Sequence, residues 1–125
     1  MTGQVTHFEI PADDVKRAQQ FFEEVFGWEL SPFYGSEYLY IKTEKDGAKA
    51  PPLERVTGGL DKRDGLLEHV TVMFEVESIE RTLRMIERSG GKVARERRPV
   101  GDFGYSAYFK DTEGNVLGLF EAVKK

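Results

Sequence analysis

The chain of 125 residues holds two histidines, His7 and His69, and no cysteine. Imidazole is the side chain whose ordinary pKa lies near neutrality, so either histidine has the chemistry to move a proton or to offer a lone pair to a divalent cation. The absence of cysteine removes disulfides, thiol nucleophiles and cysteine-ligated zinc or iron–sulfur sites. No serine stands at motif spacing from either histidine, so a Ser-His-Asp arrangement is not suggested. His7 lies in "VTHFEI" (5–10), where alternation puts Thr6, Phe8 and Ile10 on one face and Val5, His7 and Glu9 on the other. His69 lies in "LEHVTVMFEV" (67–76), with Val70, Val72, Phe74 and Val76 on one face and Thr71, Met73 and Glu75 beside it on the other.

These two strands are followed by similar elements. "PADDVKRAQQFFEEVFGWEL" predicts a helix capped by Asp13 or Asp14. Its apolar positions Val15, Ala18, Phe22, Val25 and Phe26 recur at helical spacing, and Gly27 stands where a left-handed cap wants glycine. Strands are expected at 28–33, 37–44 and 53–60, with an Asp46-Gly47 turn and with Gly58-Gly59 weakening the last. After "DKRDG" and the 67–76 strand, "SIERTLRMIERSGG" (78–91) predicts a second helix, capped by Ser78 and stopped by Gly90-Gly91. "KVARERR", "YSAYFKD" and "VLGLFEA" (116–122) complete the set, with Gly114 in the turn "TEGN".

The order is strand–helix–three strands, twice. A shift of 64 residues lays Asp14 on Ser78, Phe22 on Ile86 and Gly27 on Gly91. Such a repeat fits a duplicated supersecondary unit, each copy leaving one sheet face to be covered. Three strand-like runs between the helices argue against a ferredoxin-like sandwich. Length predicts a single domain over 1–125, with module one at about 4–63 and module two at about 67–123. The formal net charge of −4 disfavours nucleic acid or an anionic membrane as the main partner. The N-terminal residues show no signal-peptide pattern, and no window approaches the ~20 apolar residues of a membrane span, so a cytoplasmic protein is expected.

On "HFEIPADDVKRAQQFFEEVFGWEL" (7–30), "VTGGLDKR" (56–63), "FEVESIERTLRMIERSGGKV" (74–93) and "FGYSAYFKDTEGNVLGLFE" (103–121), the chain resembles the vicinal oxygen chelate superfamily. That group includes glyoxalase I, bleomycin-resistance proteins and extradiol dioxygenases. The resemblance implies an α+β fold of two βαβββ modules in tandem, forming a curved, incompletely closed mixed β-barrel with the helices outside. His7 would then face the concave side. It also implies a small-molecule ligand or substrate and a homodimer.

Family enzymes hold a divalent metal (Fe, Ni, Zn or Mn) through one residue from the first strand and one from the last strand of each module. Carried onto this chain, His7 and Glu121 are competent ligands, whereas Gly59 and Thr71 occupy the other two places. His69 lies two residues before Thr71. A bulge there would give His7, His69 and Glu121, the composition of a two-histidine-one-carboxylate triad. The alternative is a His7–Glu121 hydrogen bond in a polar pocket, with the pair working as acid and base. Two functions follow from the resemblance. One is an enzyme of lyase, isomerase or dioxygenase type acting on a small oxygenated metabolite. The other is a non-catalytic, resistance-type binding protein, which the depleted ligand set brings forward. Tyr34, Tyr38, Tyr40, Tyr105, Tyr108, Trp28 and Phe103 are candidates to line the ligand cavity, and Arg95, Arg97 and Arg98 to meet an anion.

Overall fold

In a computed structural model the elements run β1 (Gln4–Ala12), α1 (Val15–Phe26), β2 (Glu29–Pro32), β3 (Leu39–Lys42) and β4 (Thr57–Lys62). There follow β5 (Thr71–Glu75), α2 (Ile79–Arg88), β6 (Lys92–Val100), β7 (Gly104–Lys110) and β8 (Val116–Ala122). This is βαβββ twice, the α+β order expected. The structure describes residues 3–32, 38–43 and 56–123. The Asp46-Gly47 turn, Tyr34 and the first residues of the 53–60 strand lie outside them. No helix among the described residues is long and apolar enough to cross a membrane.

The chain divides into two compact units, residues 6–70 and residues 71–125 with 1–5. The start of β1 belongs with the second, where the Gly3 amide donates to the Glu75 carbonyl at 2.7 Å. In the first unit the strand order is β2-β3-β4-β1, with β1 and β4 parallel and the other pairs antiparallel. In the second it is β5-β8-β7-β6, with β5 and β8 parallel. Each unit therefore has a parallel pair at the strand that leads into its helix.

Helix α1 starts where Asp14 accepts the Arg17 amide at 3.0 Å and ends at Gly27, whose φ of 68° lets its amide close on the Glu23 carbonyl. Its Val15, Ala18 and Phe22 lie over Ala12, Leu30, Leu39, Ile41 and Leu60, with Phe8 and Ile10 in the same cluster. Helix α2 is capped by Ser78, which accepts the Arg81 amide. Its Ile79 and Leu83 are fully buried against Val76, Ala107, Phe109 and Leu119. It closes at Ser89, just before the glycine pair expected to stop it, and Gly90 takes a φ of 100°.

The strand expected at 67–76 is shorter than its alternation suggests. Asp64 Oδ1 accepts the amides of Leu66 and Leu67, and Arg63 donates to the Glu68 carbonyl. These side-chain bonds draw the backbone into a loop instead of a sheet edge. Pairing begins only at Thr71; His69 stands exposed in a bend and Val70 is 64% exposed.

Candidate functional site

The site starts from the register of two parallel strands. In β1 and β4, His7 pairs with Thr57 and Glu9 with Gly59. Phe8 and Ile10 are in the core under α1, so alternation sends His7 and Glu9 to the opposite face, as expected. There His7 Nδ1 lies 2.6 Å from the Thr57 hydroxyl oxygen, and Nε2 lies 2.8 Å from the Tyr38 hydroxyl oxygen. The Tyr38 hydroxyl donates to Glu9 Oε2 at 3.2 Å. Glu9 is 5% exposed. Burial disfavours a charged imidazole and pushes the His7 pKa down to about 4, so the ring is neutral at pH 7.

The two glycines of β4 explain how a phenol reaches this place. A Cβ at Gly59 would fall 1.7 Å from the Tyr38 hydroxyl oxygen and 2.1 Å from its Cζ. A Cβ at Gly58 would fall 2.4 Å from Cζ of Phe8. Each glycine thus yields its side-chain space to an aromatic ring. Phe8 fills one on the helix side, and Tyr38 fills the other on the His7 side. The sequence offers Tyr38 as a cavity liner and puts Glu9 on the His7 face without a role; the structure joins both to His7.

Module two repeats the register with different residues. The 64-residue shift lays His7 on Thr71 and Glu9 on Met73, and Met73 pairs with Gly118 in β8. Gly118 is therefore the counterpart of Gly59. A Cβ there would lie 2.7 Å from Cγ of Met73, whose side chain takes the space. Thr71 is 2% exposed and donates to the Val116 carbonyl at 3.4 Å.

Glu121 is three residues beyond Gly118, in phase with Leu117 and Leu119, which pack under α2. The expectation had it facing away from the helix; the alternation of β8 puts it on the helix side. Its Oε1 accepts the Ile79 amide at 2.8 Å, tying β8 to the first turn of α2. Its Oε2 lies 3.4 Å from an Arg97 nitrogen, and the Arg97 guanidinium lies 3.5 Å from the Tyr105 ring centre. A carboxylate at a helix N-terminus complements the amides and the dipole there.

Comparison with known proteins agrees with this architecture. A family model described as bleomycin resistance protein-like N-terminal matches residues 4–43. A glyoxylase-like domain-containing protein from Didymella fabae is 28% identical over 127 residues, covering 94% of this chain and 92% of its own length. A lactoylglutathione lyase from Haemophilus influenzae is 27% identical over 125 residues, with the same coverage. Among solved structures, a methylmalonyl-CoA epimerase from Streptomyces coelicolor superposes with a TM-score of 0.73 at 14% identity, over 99% of this chain and all of that one. The chain has the fold of vicinal oxygen chelate structures and is similar in sequence to glyoxalase-like proteins over nearly its whole length.

The divalent-metal site implied by the superfamily does not fit the residues present. Both nitrogens of His7 are engaged by hydroxyl groups. The side-chain position at residue 59 is filled by a phenol. The Thr71 hydroxyl is turned to a backbone carbonyl, Glu121 is bonded to α2 and Arg97, and His69 stands in an exposed bend. Among the described residues no group of three His, Asp or Glu side chains is arranged to hold an ion.

Proposed function

We propose that this is a glyoxalase/bleomycin-resistance-like protein that binds a small oxygenated metabolite on the His7 face of module one. The contacts are hydrogen bonds from side chains, with no chelated Fe, Ni, Zn or Mn. The observation that carries the reading is the Tyr38 hydroxyl seated over Gly59, where a family ligand side chain would stand. A neutral imidazole bonded at both nitrogens is suited to hold its neighbours and poorly suited to act as a base or a metal ligand. This favours the resistance-type, non-catalytic branch. The bleomycin-resistance match over residues 4–43 includes His7, Glu9 and Tyr38, which supports the same branch.

Glu9 favours a second reading, an acid–base enzyme of isomerase or lyase type. A carboxylate 5% exposed and bonded to a phenol has the chemistry to take a proton from a carbon beside a carbonyl. The C–H electron pair would move onto the carbonyl oxygen as an enolate, and the proton would return from Glu9 to complete an isomerisation. The likeness to a lactoylglutathione lyase supports this reading. A homodimer in the cytoplasm completes the proposal, and sedimentation of the purified chain tests the dimer.

The test is native mass spectrometry of the chain with chelator present, against 2-oxo acids, 2-hydroxy acids and their thioesters. Retention of one compound, lost in Tyr38→Phe, is expected. Binding that requires an added divalent metal would overturn the proposal. Deuterium uptake into the bound compound, abolished by Glu9→Gln, would decide for the enzyme over the binding protein.

A further inference from the structure

We infer that the outer face of α1 is the surface on which two copies of this chain dock, helix against helix and antiparallel. Phe21 lies at the crossing, and Arg17 of each copy meets Glu24 of the other. The inference rests on the homodimer proposed above and deepens it by assigning the contact.

The two helices use their apolar residues differently. Helix α2 buries Ile79 and Leu83 completely and leaves Met85 40% exposed. Helix α1 carries Val15, Phe21, Phe22, Val25 and Phe26, and each of them keeps contact with solvent. Phe21, Val25 and Phe26 are 55%, 55% and 58% exposed. Phe22, Phe26 and Trp28 stack on one another, and Phe21 meets Phe22 edge-on with ring centres 5.2 Å apart. These rings form one continuous patch, and a patch of that kind on a surface helix marks a docking site.

The charges around the patch say what docks there. Residues three and four apart share a helix face, so Arg17, Phe21, Glu24 and Val25 fall within about 100° of the circumference. Arg17 and Glu24 are exposed, and neither has an ion-pair partner among the described residues. Helix α2, by contrast, pairs Arg84 with Glu87 at 2.9 Å within itself. The first turn of α1 holds Lys16 and Arg17, and its last turn holds Glu23 and Glu24. That order opposes the helix dipole, which favours acid at the start and base at the end. Within one chain the arrangement brings no gain.

Between two chains it does. Arg17 and Glu24 stand about 10 Å apart along the axis, with Phe21 between them. A second α1 laid antiparallel about a two-fold axis beside Phe21 sets Arg17 on Glu24 twice, in the reciprocal manner of a symmetric contact. The two apolar stripes then cover each other. A parallel copy would set Arg17 on Arg17 and Glu24 on Glu24.

Sedimentation of the full chain over loadings of about 1 to 500 µM tests this through charge reversal. Arg17→Glu and Glu24→Arg each suit the helix dipole, so both variants should fold, which circular dichroism checks. Each alone places two like-charge pairs in the contact and should weaken association by about tenfold or more. An equimolar mixture of the two variants should recover it, because every glutamate of one then faces an arginine of the other. Phe21→Gln should leave the chain monomeric across the range. A mixture that associates no better than either variant overturns the contact. A dimer unchanged in all three variants also overturns it and leaves the homodimer standing. A wild-type chain that stays monomeric overturns the homodimer and this contact together.

Discussion

On the strand faces turned away from their helices, module one carries His7, Glu9, Thr57 and Tyr38, and module two carries Thr71, Met73 and Gly118 at the matching register. The backbone plan is the same, a parallel pair with a glycine opposite the second inward residue. In module one the glycine admits a phenol that bonds an imidazole and a buried carboxylate. In module two it admits a thioether. The spacing is the same in both modules, and the imidazole–phenol–carboxylate contacts are in module one. The difference teaches that a glycine opposite an inward strand residue is a space, whose meaning depends on which neighbour fills it.

The largest expected contrast between the modules is in acid. Native His7 titrates at about 4, below its ordinary 6.5, so as pH falls the unfolded chain takes up this proton first. The stability contribution is whole above pH 6.5, drains away between 6.5 and 4, and is flat from this group below that, a loss on the order of 3 kcal/mol. Urea unfolding across this window should show the slope in the wild type and lose it in His7→Gln. Thr71, the module-two counterpart, has nothing to titrate. A slope unchanged in His7→Gln would break the contrast.

The next effect separates the two glycines. Gly59→Ala must push a rigid ring off Glu9 and His7 and should cost about 2–3 kcal/mol, the upper end for overpacking. Gly118→Ala meets first the flexible Met73 side chain and should cost about 1 kcal/mol. Equal midpoint shifts in denaturant would show that the two spaces are not used differently. The smallest effect falls on the helix side of module two. Glu121→Ala removes an acceptor from the first turn of α2 and should cost about 1 kcal/mol, as for a lost cap. It should leave ligand binding unchanged, whereas abolished binding would restore Glu121 to the site.

Much of this was legible in the sequence, because hydrophobic periodicity is a property of single elements. The helix at Val15, its stop at Gly27, the turn at Gly114 and the βαβββ repeat all follow from local rules and are found. So is the orientation of His7, opposite in phase to Phe8 and Ile10, which pack under the helix. What was hidden depends on contacts distant in the chain. Asp64 and Arg63 shorten β5 and leave His69 outside it, and no alternation within 67–76 reveals that. Tyr38 reaches Glu9 from 29 residues away through a space that only the folded register defines. Glu121 is a different case. Its phase with Leu117 and Leu119 is a local property of β8, and that phase puts it on the helix side.

The most direct test of a hydroxyl-held, metal-free His7 site is the metal content of the chain after expression in medium supplemented with iron, nickel, zinc and manganese. Mass spectrometry of the ions should find each well below one per chain in the wild type, and no different in His7→Ala. One equivalent of any of them, lost when His7 is replaced, would contradict the account.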